Sequence, residues 1–435
     1  MPSALMICLV LLSASSSSVS GAATADPPNI LIFVTDDQRE GLEVMPKTRR
    51  WLGDGGTRYA NAFVTTPLCC PSRASIFTGR YAHNHGVRQN ELPETLDQQT
   101  TMQYHLDQVG YRTGIFGKYL NFWTLTRNPP YFDRWAIFRR NDAYTGAAWN
   151  VQGTIKTVSQ YATHFIGNQA ETFLNSGSSD PWFLYLAPPN PHGPYTAEAK
   201  YEDAPIPPWN CNPAVFESDR SDKPPYVSTF NNSCSQGKST RINQLRTLKS
   251  VDDLVDRVLS GVQAHGELND TLVFYLSDNG RQWSEHGLNG KRHAYVQSIK
   301  VPMFARWTGH IPAGVVNWRL VANIDVAPTI LEAAVVPPNT AMDGRSVLSG
   351  EGHDRILTEH WSGGPAPWSA VPDWASLLTR KGHYIEYYDS TGGIAFREFY
   401  DLTVDPWELS NVFTPPTGWS EQLAADRTCV GARCP

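Results

Sequence analysis

Two aspartates in tandem, Asp36 and Asp37, close the apolar run NILIFVTDDQ. A second pair of oxygen donors, Asp278 and Asn279, closes the similar run TLVFYLSDNG. Adjacent carboxylates repel one another, and a bound cation removes that cost. All four side chains present oxygen, which suits a hard ion such as Ca2+ or Mg2+, and no His-rich zinc pattern accompanies them. Taken alone, either pair also reads as a helix cap or a turn. Their repetition at the ends of two matching runs favours the metal.

A second cluster of chemistry lies in TTPLCCPSRASIFTGR. Pro71 suits the first position of a short helix that stops at Gly79. Cys69 then falls just before that helix, where backbone N–H groups and the helix dipole favour anions. Arg73, one turn further on, shares the same space. With Lys118, His192 and Lys291, these residues describe a site for a tetrahedral oxyanion beside a cation. The other reading of Cys69 and Cys70 is a pair of small buried residues.

Four short apolar runs must position these groups: Asn29 to Gln38, Tyr111 to Asn121, Trp182 to Tyr195 and Thr271 to Gly280. Continuous apolar runs predict strands buried on both faces of a parallel sheet, in an α/β fold. Ligands of such sheets sit at the carboxyl ends of the strands. One edge would therefore receive Asp36, Asp37, Lys118, His192, Asp278 and Asn279. Apolar residues from Leu245 to Val262 recur at helical spacing. Residues 196 to 240 are polar and Pro-rich and read as a surface excursion. Beyond about residue 345, RILTEHW, HYIEYYD and REFYDL predict a smaller antiparallel sheet with a final helix or tail.

The 435-residue chain is long enough for one large domain and a smaller one. A net charge of −6 gives no sign of a nucleic-acid partner held by bulk charge. Residues 1–23 read as an export signal: Ala4 to Leu12 is apolar but too short to span a bilayer, and small residues follow. No later stretch suits a membrane span, so an exported protein is expected, whether secreted, periplasmic or lysosomal. Cys211, Cys234, Cys429 and Cys434 fit two short-range disulfides in such a compartment, with the pairing left open.

The segment PLCCPSRASIFTG resembles the sulfatase signature, whose core is Cys-x-Pro-Ser-Arg. GYRTGIFGKYL is similar to the second sulfatase signature. Asp36-Asp37, Asn190-Pro191-His192, Ser277-Asp278-Asn279-Gly280 and Gly290-Lys291 follow in the family's order, and YDLTVDPWELSN resembles its C-terminal region. LCCPSRASI with HNHGV, GKYLN and LKSVDDLV resembles the glucosamine-6-sulfatases in particular. The resemblance implies an alkaline-phosphatase-like mixed central sheet flanked by helices, with a catalytic domain at 24–347 and a C-terminal subdomain at 348–435.

It further implies that a formylglycine-generating enzyme converts Cys69 to formylglycine. One Ca2+ would be held by Asp36, Asp37, Asp278, Asn279 and residue 69. The hydrated aldehyde would attack sulfur, form a covalent sulfate ester and expel sulfate through its second hydroxyl. Arg73 would orient that group, Lys118 and Lys291 would bind sulfate and the leaving oxygen, and His192 would contact sulfate or assist proton transfer. The implied substrate is the 6-O-sulfate of N-acetylglucosamine in glycosaminoglycan-type glycans. Alternatives are an arylsulfatase acting broadly on aryl sulfates, a phosphonate or phosphodiester hydrolase of the same superfamily, and a catalytically silent glycan-binding relative.

The chain departs from the pattern at Leu120, where many sulfatases carry a histidine as base for the elimination. Tyr295-Val296-Gln297 also lacks the acidic residues often found there. His83 and His85 are candidates for a sugar pocket, and His286 and His293 are further histidines near the motifs. Trp123, Tyr131 and Trp135 are either sugar-stacking or core residues.

Overall fold

The computed structural model describes residues 27–139 and 143–435. The expected signal at 1–23, with Cys8, lies outside the described residues. In chain order the strands begin with β1 (Asn29–Thr35), β2 (Thr57–Phe63), β3 (Arg112–Lys118), β4 (Arg134–Phe138), β5 (Ala147–Val151) and β6 (Thr154–Val158). They continue with β7 (Trp182–Ala187), β8 (Thr271–Ser277), β9 (Gln282–Trp283), β10 (Asn289–Gly290), β11 (Met303–Arg306) and β12 (Val315–Ala322). The last four are β13 (Ile356–His360), β14 (Asp373–Leu378), β15 (Gly382–Tyr388) and β16 (Ile394–Asp401).

Ten strands form one mixed sheet in the order β12-β2-β11-β8-β1-β7-β3-β4-β5-β6. The four expected runs become β8, β1, β7 and β3, neighbours that all run parallel. Strand β1 shows why its run is continuous. Ile30, Ile32 and Val34 pack into the core on one face, and Leu31 and Phe33 into the core on the other. Each such side chain contributes roughly 1.5–3 kcal/mol by leaving water.

One face is covered by helices Ala162–Leu174 and Cys234–Ala264. The second of these carries the expected stripe, with Leu245, Leu248, Val251, Val255, Val258 and Val262 all buried. It begins inside the stretch read as a surface excursion, which therefore ends at residue 233. Its start was written in the sequence: Ser233 caps the first turn, and Gln236, three residues on, bonds back to it. The other face carries helices Cys69–Thr78, Met102–Gln108 and Val326–Ala333.

The four C-terminal strands form the separate antiparallel sheet β13-β14-β15-β16. Its core also takes in Phe63, Tyr81, Tyr295 and Ile299. Strand β14, DWASLL, lies outside the three strands expected from the sequence. A serine interrupts its apolar pattern, and Ser376 is buried because Thr358 and His383 bond its hydroxyl. Disulfides join Cys211 to Cys234 and Cys429 to Cys434. Among the described residues, no helix is long and apolar enough to cross a membrane.

Candidate active site

The register of the sheet builds the site. Thr35 of β1 sits opposite Ser277 of β8, so the residues that follow each strand emerge side by side. The amide of Asp278 donates to the Thr35 carbonyl (3.0 Å), and that of Asp37 donates to Asp278 Oδ1 (3.1 Å). Asp36 N donates to the carbonyl of Asn190, just beyond β7 (2.9 Å). Lys118 is the last residue of β3, one strand further along. The hairpin of β9 and β10 then brings Lys291 over the same edge.

The Cys69–Thr78 helix points its first turn at this edge. Its start corrects the sequence reading. Leu68 is the N-cap and Cys69 the first helical residue, which places Pro71 third. Proline is tolerated there because the first N–H groups of a helix have no partner within it. Cys69 thus lies in the first turn itself, with Arg73 one turn on.

Three carboxylates, Asp36, Asp37 and Asp278, have no exposed surface. Charge of that density is stable only when offset. Lys118 Nζ donates to Asp36 Oδ2 at 2.6 Å and lies 3.8 Å from Asp278 Oδ2. Arg73 Nε donates to Asp278 Oδ2 at 2.8 Å, and one of its terminal nitrogens reaches to 3.8 Å from Asp36. Lys291 Nζ bonds Asp37, and Asn279 Nδ2 donates to Asp37 Oδ1 at 2.7 Å. Burial alone would raise the Asp36 pKa. Lys118, His192, Arg73 and Lys291 more than offset it and bring it down to about 2. Asp37 is likewise held far below the usual range, against burial, by Lys291, His192 and Arg281. Asp278 goes the other way: burial and the neighbouring Asp36 raise it in spite of Arg73 and Lys118.

Cys69 is buried with its Sγ 3.5 Å from Asp36 Oδ1 and against Lys291 Nζ. Burial, with Asp278, pushes its thiol up to about 12. As a cysteine it is protonated and a poor nucleophile. Its sulfur marks where an oxygen of a modified residue 69 would stand. Cys70 points into the hydrophobic core.

Ligand atoms of Asp36, Asp37, Cys69 and His192 all lie within 4.8 Å of one another. Asp278 and Asn279 stand beside that group, the first turned to Arg73 and the second to Asp37 and Lys291. Four of these six residues, Asp36, Asp37, Asp278 and Asn279, offer oxygen, which fits a hard divalent cation. One terminal nitrogen of Arg73 is buried without a hydrogen-bond partner, which fits an oxygen-rich group above residue 69.

His192 lies 3.7 Å from Asp37 through Nε2, while its Nδ1 donates to the Gly193 carbonyl (2.7 Å). Burial lowers its pKa, with Lys291 and Lys118 acting in the same direction against Asp37 and Asp36. All nine expected site residues therefore converge on one edge.

The neighbouring histidines serve other ends. His83 bonds Glu359 and the Cys429 carbonyl, and His85 bonds Ser75 and the amide of Val87. His286 pairs with Glu217, and His293 stacks on Tyr226. Trp123 is buried core, and Trp135 bonds Asn150. Leu120 is wholly buried and offers no base.

Two site residues escaped sequence reasoning. Arg281 donates to Asp37 Oδ2 at 3.1 Å and to Asn289, and lies over the Tyr195 ring. Asn90 Oδ1 accepts from the amide of Cys70 at 3.0 Å. Only the position of Arg281, two residues after Asn279, hinted at its place.

The Sulfatase family profile matches residues 28–336, and a profile described as N-sulphoglucosamine sulphohydrolase, C-terminal, matches 284–424. The chain belongs to the sulfatase family, enzymes that hydrolyse sulfate esters. An N-acetylglucosamine-6-sulfatase of Capra hircus is 31% identical over 459 residues, covering 91% of this chain and 81% of that one. An extracellular sulfatase SULF-1 homolog of Drosophila melanogaster is 35% identical over 363 residues, which are 76% of this chain but only 32% of that protein. This chain thus spans about a third of that relative's length. In fold, the chain is similar to a solved structure in complex with its substrate D-glucosamine-2-N,6-O-disulfate (TM-score 0.79, 22% identity, 91% of this chain and 95% of that one). It is also similar to a phosphonate monoester hydrolase of Agrobacterium radiobacter (TM-score 0.69, 18% identity, 91% and 93%).

Proposed function

We propose that this sulfatase removes the 6-O-sulfate of an N-acetylglucosamine unit in a glycosaminoglycan-type glycan, using formylglycine at position 69 and one Ca2+. The observation that carries the reading is the convergence of Cys69 and Arg73 with the buried Asp36, Asp37 and Asp278 at one sheet edge. The glucosamine-6-sulfatase choice is supported by the 31% identity to such an enzyme over 91% of the chain.

Asp36, Asp37, Asp278 and Asn279 would hold the ion, with residue 69 beside them. When bound, Ca2+ supplies a Lewis acid that neutralises sulfate charge and acidifies a hydroxyl on residue 69. Converted to formylglycine and hydrated, residue 69 supplies that hydroxyl as the nucleophile. Arg73, fixed by Asp278 and the Lys118 carbonyl, orients residue 69 through its remaining donor. Lys118 and Lys291 place ammonium groups against the sulfate oxygens. His192 is held by its Nδ1 and presents Nε2, the atom through which it would contact the sulfate or assist proton transfer to the leaving oxygen. An exported protein suits a polymeric extracellular or lysosomal glycan, and maturation requires the enzyme that makes formylglycine.

The first test is the mass of the tryptic peptide Tyr59 to Arg73 from protein made in its native host. Replacement of the Cys69 CH2–SH by an aldehyde is the expected result. An unmodified cysteine in active enzyme would overturn the mechanism. Sulfate release is then compared on N-acetylglucosamine-6-sulfate, 4-nitrophenyl sulfate and a phenyl phosphonate monoester. Preference for the sugar is expected. Preference for the aryl sulfate or the phosphonate would replace the substrate assignment.

A further inference from the structure

A cavity of about 530 Å3 that none of the site residues lines lies beside β2 and β12. Its walls include Arg58 of β2, Lys300, Trp318 in β12, Trp407, Glu40 and Glu43. The charges in it do not cancel. Glu40 pairs with Arg39 (3.3 Å), and Glu43 with Arg241 (2.7 Å). Arg58 and Lys300 form no side-chain hydrogen bond or ion pair among the described residues, and the nearest ring to the Lys300 ammonium is Phe63 at 5.8 Å. Lys300 is half-buried. Burial and the like charge of Arg58 pull its pKa below the usual range, against Glu40. With Glu40 and Glu43 drawn to Arg39 and Arg241, Arg58 and Lys300 keep cationic hydrogen-bond donors to offer an anion in the cavity.

The aromatic residues define what kind of anion. Trp318 is 61% exposed, and Trp407 stands partly exposed on the same cavity. An indole face suits the apolar C–H face of a pyranose, and cations on the same cavity suit an acidic substituent on that ring. The cavity also adjoins the catalytic site through the chain. Glu40 lies three residues after Asp37, at most about 11 Å away. Ser298, two residues before Lys300, accepts a hydrogen bond from Gly280, the residue after Asn279.

We propose that this cavity is a second, non-catalytic site for an anionic sugar unit of the glycan on which the enzyme acts. The inference rests on the reading that the substrate is a sulfated glycan. The protein would then hold a longer chain at two points and gain affinity by linkage.

The test uses a heparin octasaccharide, its desulfated counterpart and the monosaccharide N-acetylglucosamine-6-sulfate. Two variants are made in the full chain: the double variant Arg58→Ser with Lys300→Met, and Trp318→Ala, an exposed position that leaves folding intact. Both are expected to bind the octasaccharide at least about tenfold more weakly, with hydrolysis of the monosaccharide unchanged. Loss of wild-type binding on desulfation would identify the bound anion as sulfate, and retention would identify it as carboxylate; either fits the proposal. Octasaccharide affinity equal to wild type in both variants would overturn it. So would a parallel fall in monosaccharide hydrolysis. If the wild type does not hydrolyse the monosaccharide but the variants still lose octasaccharide binding, the cavity assignment stands and the proposed substrate falls.

Discussion

Two buried carboxylate clusters in this molecule are built in opposite ways. At the catalytic edge, Asp36, Asp37 and Asp278 are offset by the cations Arg73, Lys118, Lys291 and Arg281. In the C-terminal sheet, the equally buried Glu398 receives only neutral donors, the hydroxyls of Tyr295 (3.0 Å), Tyr387 (2.6 Å) and Tyr400 (2.6 Å). Cations keep Asp36 ionised; at Glu398 burial raises the pKa, and the three phenols lower it by too little to offset that. Burial by itself therefore says little about function. The kind of partner decides whether a carboxylate stays charged and able to hold a ligand, or simply completes a core.

The sharpest way to break the contrast is to remove one partner from each cluster. Cys69→Ala is expected to lower kcat by at least about 10³-fold while the protein stays folded. Arg73→Met removes the direct ion pair of Asp278 and leaves Lys118 alone to offset both Asp278 and Asp36; a comparable loss of turnover and about 3–5 kcal/mol of stability are expected in denaturant melts. At the other cluster, Glu398→Leu strands three hydroxyls. It should cost about 3 kcal/mol, with kcat of the folded fraction unchanged.

Removal of divalent ions sharpens the same distinction. Chelation should lower Tm, and Ca2+ at a hundred times its Kd should restore about 2.7 kcal/mol. Glu398→Gln should show that full gain, and Asp37→Asn should lose most of it. Failure of Ca2+ to stabilise the wild type would remove the metal from the site.

The smallest effect is a slope in pH. The folded pKa of Glu398 lies above its unfolded value of 4.5. Its contribution is therefore complete below pH 4.5 and is lost as pH rises through the folded pKa. Wild type should lose stability relative to Glu398→Gln over that interval. A difference that does not change with pH would mean that folding leaves the Glu398 pKa at its unfolded value.

Much of the catalytic edge was legible because parallel strands buried on both faces are nearly all apolar, so the first polar residue marks the strand end. Asp36, Asp278 and Lys118 were readable in that way. Arg281 was not, because its role depends on the turn that follows Asn279 and not on any periodicity. Strand β14 was hidden by Ser376, which becomes compatible with burial only once Thr358 and His383 reach it. The cavity at Arg58 and Lys300 joins residues more than two hundred positions apart, so no local pattern announces it.

The burial of Cys69 sets an order of events during synthesis. Lys291, which lies against its sulfur, comes 222 residues later in the chain. At about 5–20 residues per second, that interval lasts roughly 10–45 s. Until then the Cys-Cys-Pro-Ser-Arg segment has emerged without the residues that will enclose it. The modifying enzyme that the proposed function requires would have that window in which to reach a side chain that the finished fold seals off.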